Sequence, residues 1–286
     1  MKEISTNVFI ESSFPGVTLG AARLPNGLLF IDAPIYAKDA QAWRSSVTRP
    51  VSISDRLLVL LDEHLDRTIG AKGMKCTTIA HEKTALNIGN RLSSSKPVGV
   101  KTGAIWENCD NLGSIHWLSP EITFTHSMFL NWDDEPIALE HHSGPSKGAT
   151  WVILPTQKVV FIGDAVTPNQ PPFLATADIE AWLETINQLR AAKFHDHLLI
   201  NGREGMTTQE EVKVQAAFLR RVQSGLEKLA QHNANPQETE HLAEEFVKEF
   251  NTHNTKEKDM YKSRLAWGLL QQYLIHYHPV RVINKK

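Results

Sequence analysis

Residues 57–71, LLVLLDEHLDRTIGA, run from an apolar stretch straight into Asp62, Glu63, His64, Asp66 and Arg67. If the extended chain continues past Leu61, Asp62, His64 and Asp66 alternate onto one side, and Gly70 permits a sharp turn just after them. Carboxylates and an imidazole converging in this way are the oxygen and nitrogen donors that Zn, Mn or Fe take. The solvated end of a strand has the same composition, and this stretch alone does not separate the two readings.

Three other stretches carry residues of comparable chemistry. In KVVFIGDA, residues 158–165, an apolar strand delivers Asp164 directly after Gly163. Strand C-terminal ends open into clefts, so Asp164 is a candidate metal or catalytic carboxylate, or else the cap of the next turn. In LEHHSGPSKGATWVILP, residues 139–155, His141 and His142 are adjacent and so face opposite ways on a strand. At most one of them enters a common site, and a hydrogen-bonded structural role fits either. HLLINGREG, residues 197–205, presents Arg203 and Glu204 after Gly202. Arg203 there is a candidate site residue or a surface partner of a nearby acid.

The elements that would position these residues are short apolar runs punctuated by Gly, Pro, Asn and Asp up to about residue 205. NVFIES, VTLGAARL, LLFIDA, LLVLL, TTIAH, ITFTHSMFL, IALEHH, TWVILP, KVVFIGDA and HLLING read as strands, and Pro25–Gly27 as a hairpin turn that makes the first half begin antiparallel. Helices are expected around 37–47 and over 177–192, where Ile179, Leu183, Ile186 and Leu189 recur at helical spacing. After Gly205 long amphipathic helices are expected from Thr208 to about Gln231, Gln237 to Phe250, and Lys256 to about His276. Asn235, Pro236 and Glu238 are a capped helix start. Met260, Trp267, Leu270, Leu274 and Tyr277 form the expected packed stripe of the last helix.

With 286 residues, 41% of them hydrophobic, the chain can bury a large core, and its net charge of −2 is spread without a basic stripe. Nucleic acid is therefore not an expected partner. No apolar run is long enough to cross a bilayer, so no membrane association is expected. Cys76 and Cys109 form no CxxC pair and the first residues have no secretory pattern, so a cytoplasmic location is expected.

Taken in order, these pieces resemble the metallo-β-lactamase superfamily over residues 5–206. The family pattern is a strand ending in Asp, a His-x-His-x-Asp-His motif followed by Gly, a Gly-His-Thr turn, a strand ending in Gly-Asp and a strand ending in Gly-His. LLFIDA with Asp32, DEHLDRTIG, SGPSKGATWVILP, VVFIGDA and LLINGREG stand at those places, and TTIAHEKTALNI with His81 is similar to the strand and helix after the metal motif. The resemblance implies an α/β fold, an αββα sandwich of two mixed sheets over residues 1–206, followed by a helical extension over 207–286.

The family's metal ligands carry over only in part. In the His-x-His-x-Asp-His motif the first His is Asp62, the second is His64, the Asp is Asp66 and the final His is Arg67. The turn His is Pro145, the bridging Asp is Asp164 and the closing His is Arg203. A guanidinium cannot coordinate a metal, so the second metal position is expected to be lost. Asp62, His64 and Asp164, with His142 or else His141 as the candidate to compensate for Pro145, remain as candidate ligands of one divalent Zn, Mn or Fe ion. Asp66, oriented by Arg67, is then the candidate base, beside Arg203, of a hydrolase of an ester, thioester, lactone or phosphoester.

The alternative is a metal-free, non-catalytic protein that binds an anionic small molecule through Arg67 and Arg203. It follows from charge, because three buried aspartates need counter-charges and two arginines stand at the vacated ligand positions. A metal-independent enzyme using His64 as base is a further option. The helical extension covers the cleft or forms a homodimer interface in either case.

Overall fold

The computed structural model describes residues 1–48, 55–91, 101–112, 115 and 117–277. The end of the expected extension, residues 278–286, lies outside them.

A first sheet has seven strands in chain order: β1 (Lys2–Ser5), β2 (Val8–Glu11), β3 (Leu19–Leu24), β4 (Gly27–Ile31), β5 (Arg56–Val59), β6 (Thr77–His81) and β7 (Ile122–Phe124). It begins as an antiparallel meander, with Leu24 paired to Gly27 across the expected turn. From β4 to β7 it becomes parallel. The connections α1 (Ala37–Thr48) and α3 (Glu82–Gly89) are helical. Helix α2 (Leu65–Thr68), a single turn, lies between β5 and β6.

The second sheet holds β8 (Ser127–Leu130), β9 (Ile137–His141), β10 (Thr150–Leu154), β11 (Val159–Gly163), β12 (Leu198–Asn201) and β13 (Gly205–Thr207) in the order β13-β12-β11-β10-β9-β8. Only β11 and β12 pair in parallel, across α4 (Ile179–Leu189). The run ITFTHSMFL, expected as one strand, divides at Thr125-His126 into β7 and β8, which belong to different sheets. Each half then buries its apolar residues against a different layer. The short strands β1 and β13 carry too few apolar residues to stand out in the sequence.

Val8, Ile31, Val59 and Ile79 of the first sheet meet Leu139, Val152, Phe161 and Ile200 of the second in the central core. The outer face of the first sheet packs against α1 through Phe30, Trp43 and Val47. On the outer face of the second, Trp151 and Ile153 join Trp182 of α4 and the extension helices α5 (Gln209–Gln231), α6 (Thr239–Phe246) and α7 (Thr255–Gln272) in one continuous core. The layers are thus helix, sheet, sheet, helix.

Thr208 and Glu211 close a capping box at the start of α5, and Asn235 and Glu238 close another. The helix expected over 237–250 is interrupted by tighter turns at Pro236–Glu238 and Val247–Glu249 that flank α6. Helix α7 ends in a π-helical turn, Tyr273–Tyr277. Its most buried face is Tyr261, Arg264, Leu265, Gly268, Leu269 and Gln272, while the expected stripe through Trp267 and Leu270 is only half-buried. Two polar residues, Arg264 and Gln272, turn inward because they have hydrogen-bond partners beneath the helix. No helix among the described residues is long and apolar enough to cross a membrane.

Candidate functional site

The strand β5 stops at Val59, and His64 caps the short helix α2, its Nδ1 accepting the Asp66 N–H at 3.3 Å. The expected extended alternation of Asp62, His64 and Asp66 therefore does not continue. Asp62 leaves the strand end and folds back on the His64 N–H (2.8 Å), whereas Asp66 and Arg67 issue from the first turn of α2.

Two further carboxylates come from strand ends in unusual backbone. Asp32 follows β4 at φ 58°, a left-handed conformation that Asp tolerates better than most residues, and its Oδ1 accepts the Leu61 N–H at 2.9 Å. Gly163, at φ 57°, bends the end of β11 so that Asp164 turns into the same space. Arg203 enters from the turn after β12, where Asn201 Oδ1 accepts its backbone N–H.

These side chains form one buried ionic network. Arg203 grips Asp164 through both edges of the fork, Nε to Oδ1 at 2.9 Å and NH2 to Oδ2 at 2.6 Å. Its NH1 donates to Asp66 Oδ2 at 2.7 Å and to the Gly16 carbonyl at 2.8 Å. Arg67 donates from NH2 to Asp164, and its NH1 lies 3.3 Å from Asp62 and 3.5 Å from Asp32. Asp66 also accepts the Trp106 N–H at 2.8 Å. Asp32, Asp66 and Arg67 are 0% exposed, and Asp62, Asp164 and Arg203 are buried as well.

The charges are unequal, with four carboxylates around two guanidiniums, and the pKa shifts divide accordingly. Burial alone would raise Asp164 and Asp66, but Arg203, with Arg67 at Asp164 and the Trp106 N–H at Asp66, holds both below the usual carboxylate range. Burial and neighbouring carboxylates push Asp32 up to about 7 and Asp62 to about 6, against the pull of Arg67. Although burial disfavours its charge, Arg67 is raised by Asp164, Asp62 and Asp32. His64 is driven down to about 3 by burial and by Arg203, so its ring is neutral.

The network is tightly enclosed. A Cβ on Gly202 would lie 2.7 Å from Arg67 NH2 and 3.0 Å from Asp164 Oδ1. Gly202→Ala is expected to cost roughly 2 kcal/mol, the scale of overpacking a core, read from urea denaturation. A change below a few tenths of a kcal/mol would mean that the network has slack.

Of the residues singled out in the sequence, Asp62, His64, Asp66, Arg67, Asp164 and Arg203 are brought together. His142 stands apart: its ring stacks on Trp151 at 3.7 Å, and its Nε2 is 3.0 Å from Glu140 Oε2. It does not replace the missing ligand at Pro145. Asp66 pairs with Arg203 rather than Arg67, and as a depressed, fully buried carboxylate it is a poor base. Asp32, known from the sequence only as a strand end, is a full member of the network. Phe173 and Arg264, which no sequence pattern marked, form its cover. The Phe173 ring lies 4.2 Å from the His64 ring, with the guanidinium of Arg203 4.8 Å and that of Arg264 3.9 Å from its centre.

No protein-family model matches the sequence, and no curated protein matches it. Solved structures do. A metallo-β-lactamase from Pontibacter korlensis superposes with a TM-score of 0.59 at 16% identity, over 77% of this chain and 97% of its own. The DIM-1 metallo-β-lactamase gives 0.59 at 15% identity, over 77% and 96%. The fold is that of the metallo-β-lactamases. The sec-alkylsulfatase Pisa1 from Pseudomonas sp. gives 0.65 at 13% identity, over 97% of this chain but 50% of that enzyme, so this chain spans about half its length.

Metallo-β-lactamase-fold proteins typically depend on divalent metal, and the residues here can be tested for such an ion. They do not fit one. Arg67 and Arg203 lie among the carboxylates, and both oxygens of Asp164 already accept guanidinium N–H groups. With Nδ1 of His64 accepting a backbone N–H, the neutral ring carries its proton on Nε2 and has no lone pair there for a metal or for taking up a proton. Among the described residues no group of three or more His, Cys, Asp or Glu side chains is arranged to hold a metal ion. The anion-binding reading meets a similar obstacle, since the Arg203 donors are engaged by Asp66, Asp164 and Gly16 and Arg67 is wholly buried.

Proposed function

We propose that this chain is a metal-independent member of the metallo-β-lactamase fold, in which an Asp–Arg network stands where a metal centre would, and that it acts as a binding or assembly protein. The observation that supports this most is the position of Arg67, whose guanidinium lies among Asp32, Asp62 and Asp164 at 0% exposure. A planar cation with several donors can neutralise carboxylates from several strand ends at once, which is otherwise the work of a metal. A ligand would then be recognised away from Arg67 and Arg203.

The test is elemental analysis by plasma mass spectrometry after incubation with Zn, Mn and Fe(II) under reducing conditions, with hydrolysis assays on ester, thioester, lactone and phosphoester panels. Metal well below one per chain, a Tm unmoved by EDTA and no turnover are expected. About one metal per chain, lost in His64→Ala, would overturn the reading.

A second reading is a hydrolase of an anionic ester, favoured by the alkylsulfatase likeness, which covers 97% of this chain against 77% for the β-lactamases. It requires the two guanidiniums to leave the carboxylates before a metal could enter. Metal-dependent hydrolysis of an alkyl sulfate would decide for it.

A further inference from the structure

The segment 165–177, which follows Asp164 and carries Phe173, is anchored at its start by Trp182 of α4, which donates to the Ala165 carbonyl at 2.8 Å, and at Asn169 and Gln170 by Glu204, while further polar contacts come from the helical extension. Gln215 of α5 accepts the Thr167 N–H at 3.3 Å. Arg264 of α7 donates to the Pro171 carbonyl at 2.8 Å and to Gln170 Oε1 at 2.9 Å. Gln272 donates to the carbonyls of Leu174 and Ala177, both at 2.7 Å. All three side chains are buried, at 6%, 1% and 2% exposure.

The helix surface is shaped for this contact. A Cβ on Gly268 would come within 2.9 Å of Leu174 Cβ, so only a glycine lets α7 lie this close to the segment. Arg264 holds a second loop as well, through Nε and NH2 to the Gly103 carbonyl at 3.0 and 2.8 Å. Gly103 sits against α7 at φ 72°, where a side chain would meet the Met260 carbonyl at 2.5 Å. Just beyond it, the Trp106 N–H donates to Asp66 of the buried network.

Among the described residues Arg264 makes no ion pair with a carboxylate. Its donors go to carbonyls and an amide, and its charge faces Phe173. Burial and the neighbouring Arg203 bring it down to about 10. A guanidinium at 1% exposure with no ion-pair partner among the described residues is costly to bury, and every hydrogen bond it makes goes to one of the two loops.

We propose that α7 is the latch of a two-loop cover over His64 and Arg203: Arg264 and Gln272 hold segments 101–108 and 165–177 shut, and the two segments open together when that hold is released. Phe173 is the inner face of the cover, and anything reaching His64 must displace it. The latch does not depend on whether the network beneath it can take a metal.

Amide hydrogen exchange on the full chain, read by mass spectrometry, tests this. In Arg264→Gln, amides of 101–108 and 165–177 are expected to exchange at least tenfold faster, with β10 and β11 unchanged. Gln272→Leu should act the same way more weakly, and it serves if Arg264→Gln does not fold. Acceleration of 165–177 alone, or an equal acceleration of every strand, would overturn the latch, as would rates within twofold of the unaltered protein in both variants.

Discussion

Replacing Arg67 with Met is expected to remove about 3–5 kcal/mol of folding free energy, enough to leave the chain largely unfolded at neutral pH if its stability is ordinary. The guanidinium is the only cation within ion-pair distance of Asp32 and Asp62 among the described residues, and it also donates to Asp164. Methionine fills a similar volume but leaves these carboxylates buried without a counter-charge. Arg67→Lys should recover only part of the loss, because one ammonium cannot reach two groups of carboxylates as a planar fork does. Combining Arg67→Met with Asp32→Asn and Asp62→Asn should recover more, since two of the orphaned charges then disappear. Guanidinium denaturation of the four proteins measures each step, and a loss under 1 kcal/mol for Arg67→Met would show that the network contributes little.

The unequal charge count gives the second large effect, on pH. Asp32 and Asp62 sit above the ordinary carboxylate value of 3.8, at about 7 and about 6, so between pH 4 and 7 the folded chain retains protons that the unfolded chain has released. Stability contributed by these two groups therefore falls as pH rises through that window. Asp66 and Asp164 are depressed, and their contribution is lost instead as pH falls below about 4. The Tm should rise by about 5 °C from pH 8 to pH 5 and fall again in stronger acid. Asp32→Asn should flatten the slope between pH 5 and 8. A Tm that climbs steadily from pH 5 to 8 would contradict this balance.

Much of the architecture is legible in the sequence because apolar runs closed by Gly, Asn or Asp mark strand ends directly, as with VVFIGDA and LLING. The same signal points to Asp164 and Arg203. Where the sequence misleads, a local pattern is overruled by a distant partner. His64 and Asp66 look like alternating strand residues until the cap on α2 redirects them. ITFTHSMFL looks like one strand because its apolar residues do not reveal that they face two different sheets. His142 looks available for the site, but Trp151 and Glu140 claim its ring. Arg264 and Gln272 are the hardest to read, since polar residues on a helix are normally solvated and only the loop carbonyls beneath α7 explain why these two turn inward.

The ionic network joins residues that are remote along the chain, Arg67 to Asp164 across 97 positions, Arg203 to Asp66 across 137 and Arg203 to Gly16 across 187. Such contacts close only after both sheets have assembled, because each demands the loop-closure entropy of the whole intervening chain. A network that closes late is expected to act on the rate of escape from the native state more than on the rate of reaching it, so Arg67→Met should speed unfolding more than it slows folding in stopped-flow measurements. Its expected contribution is longevity, as a slow-opening lock between the two halves of the sandwich.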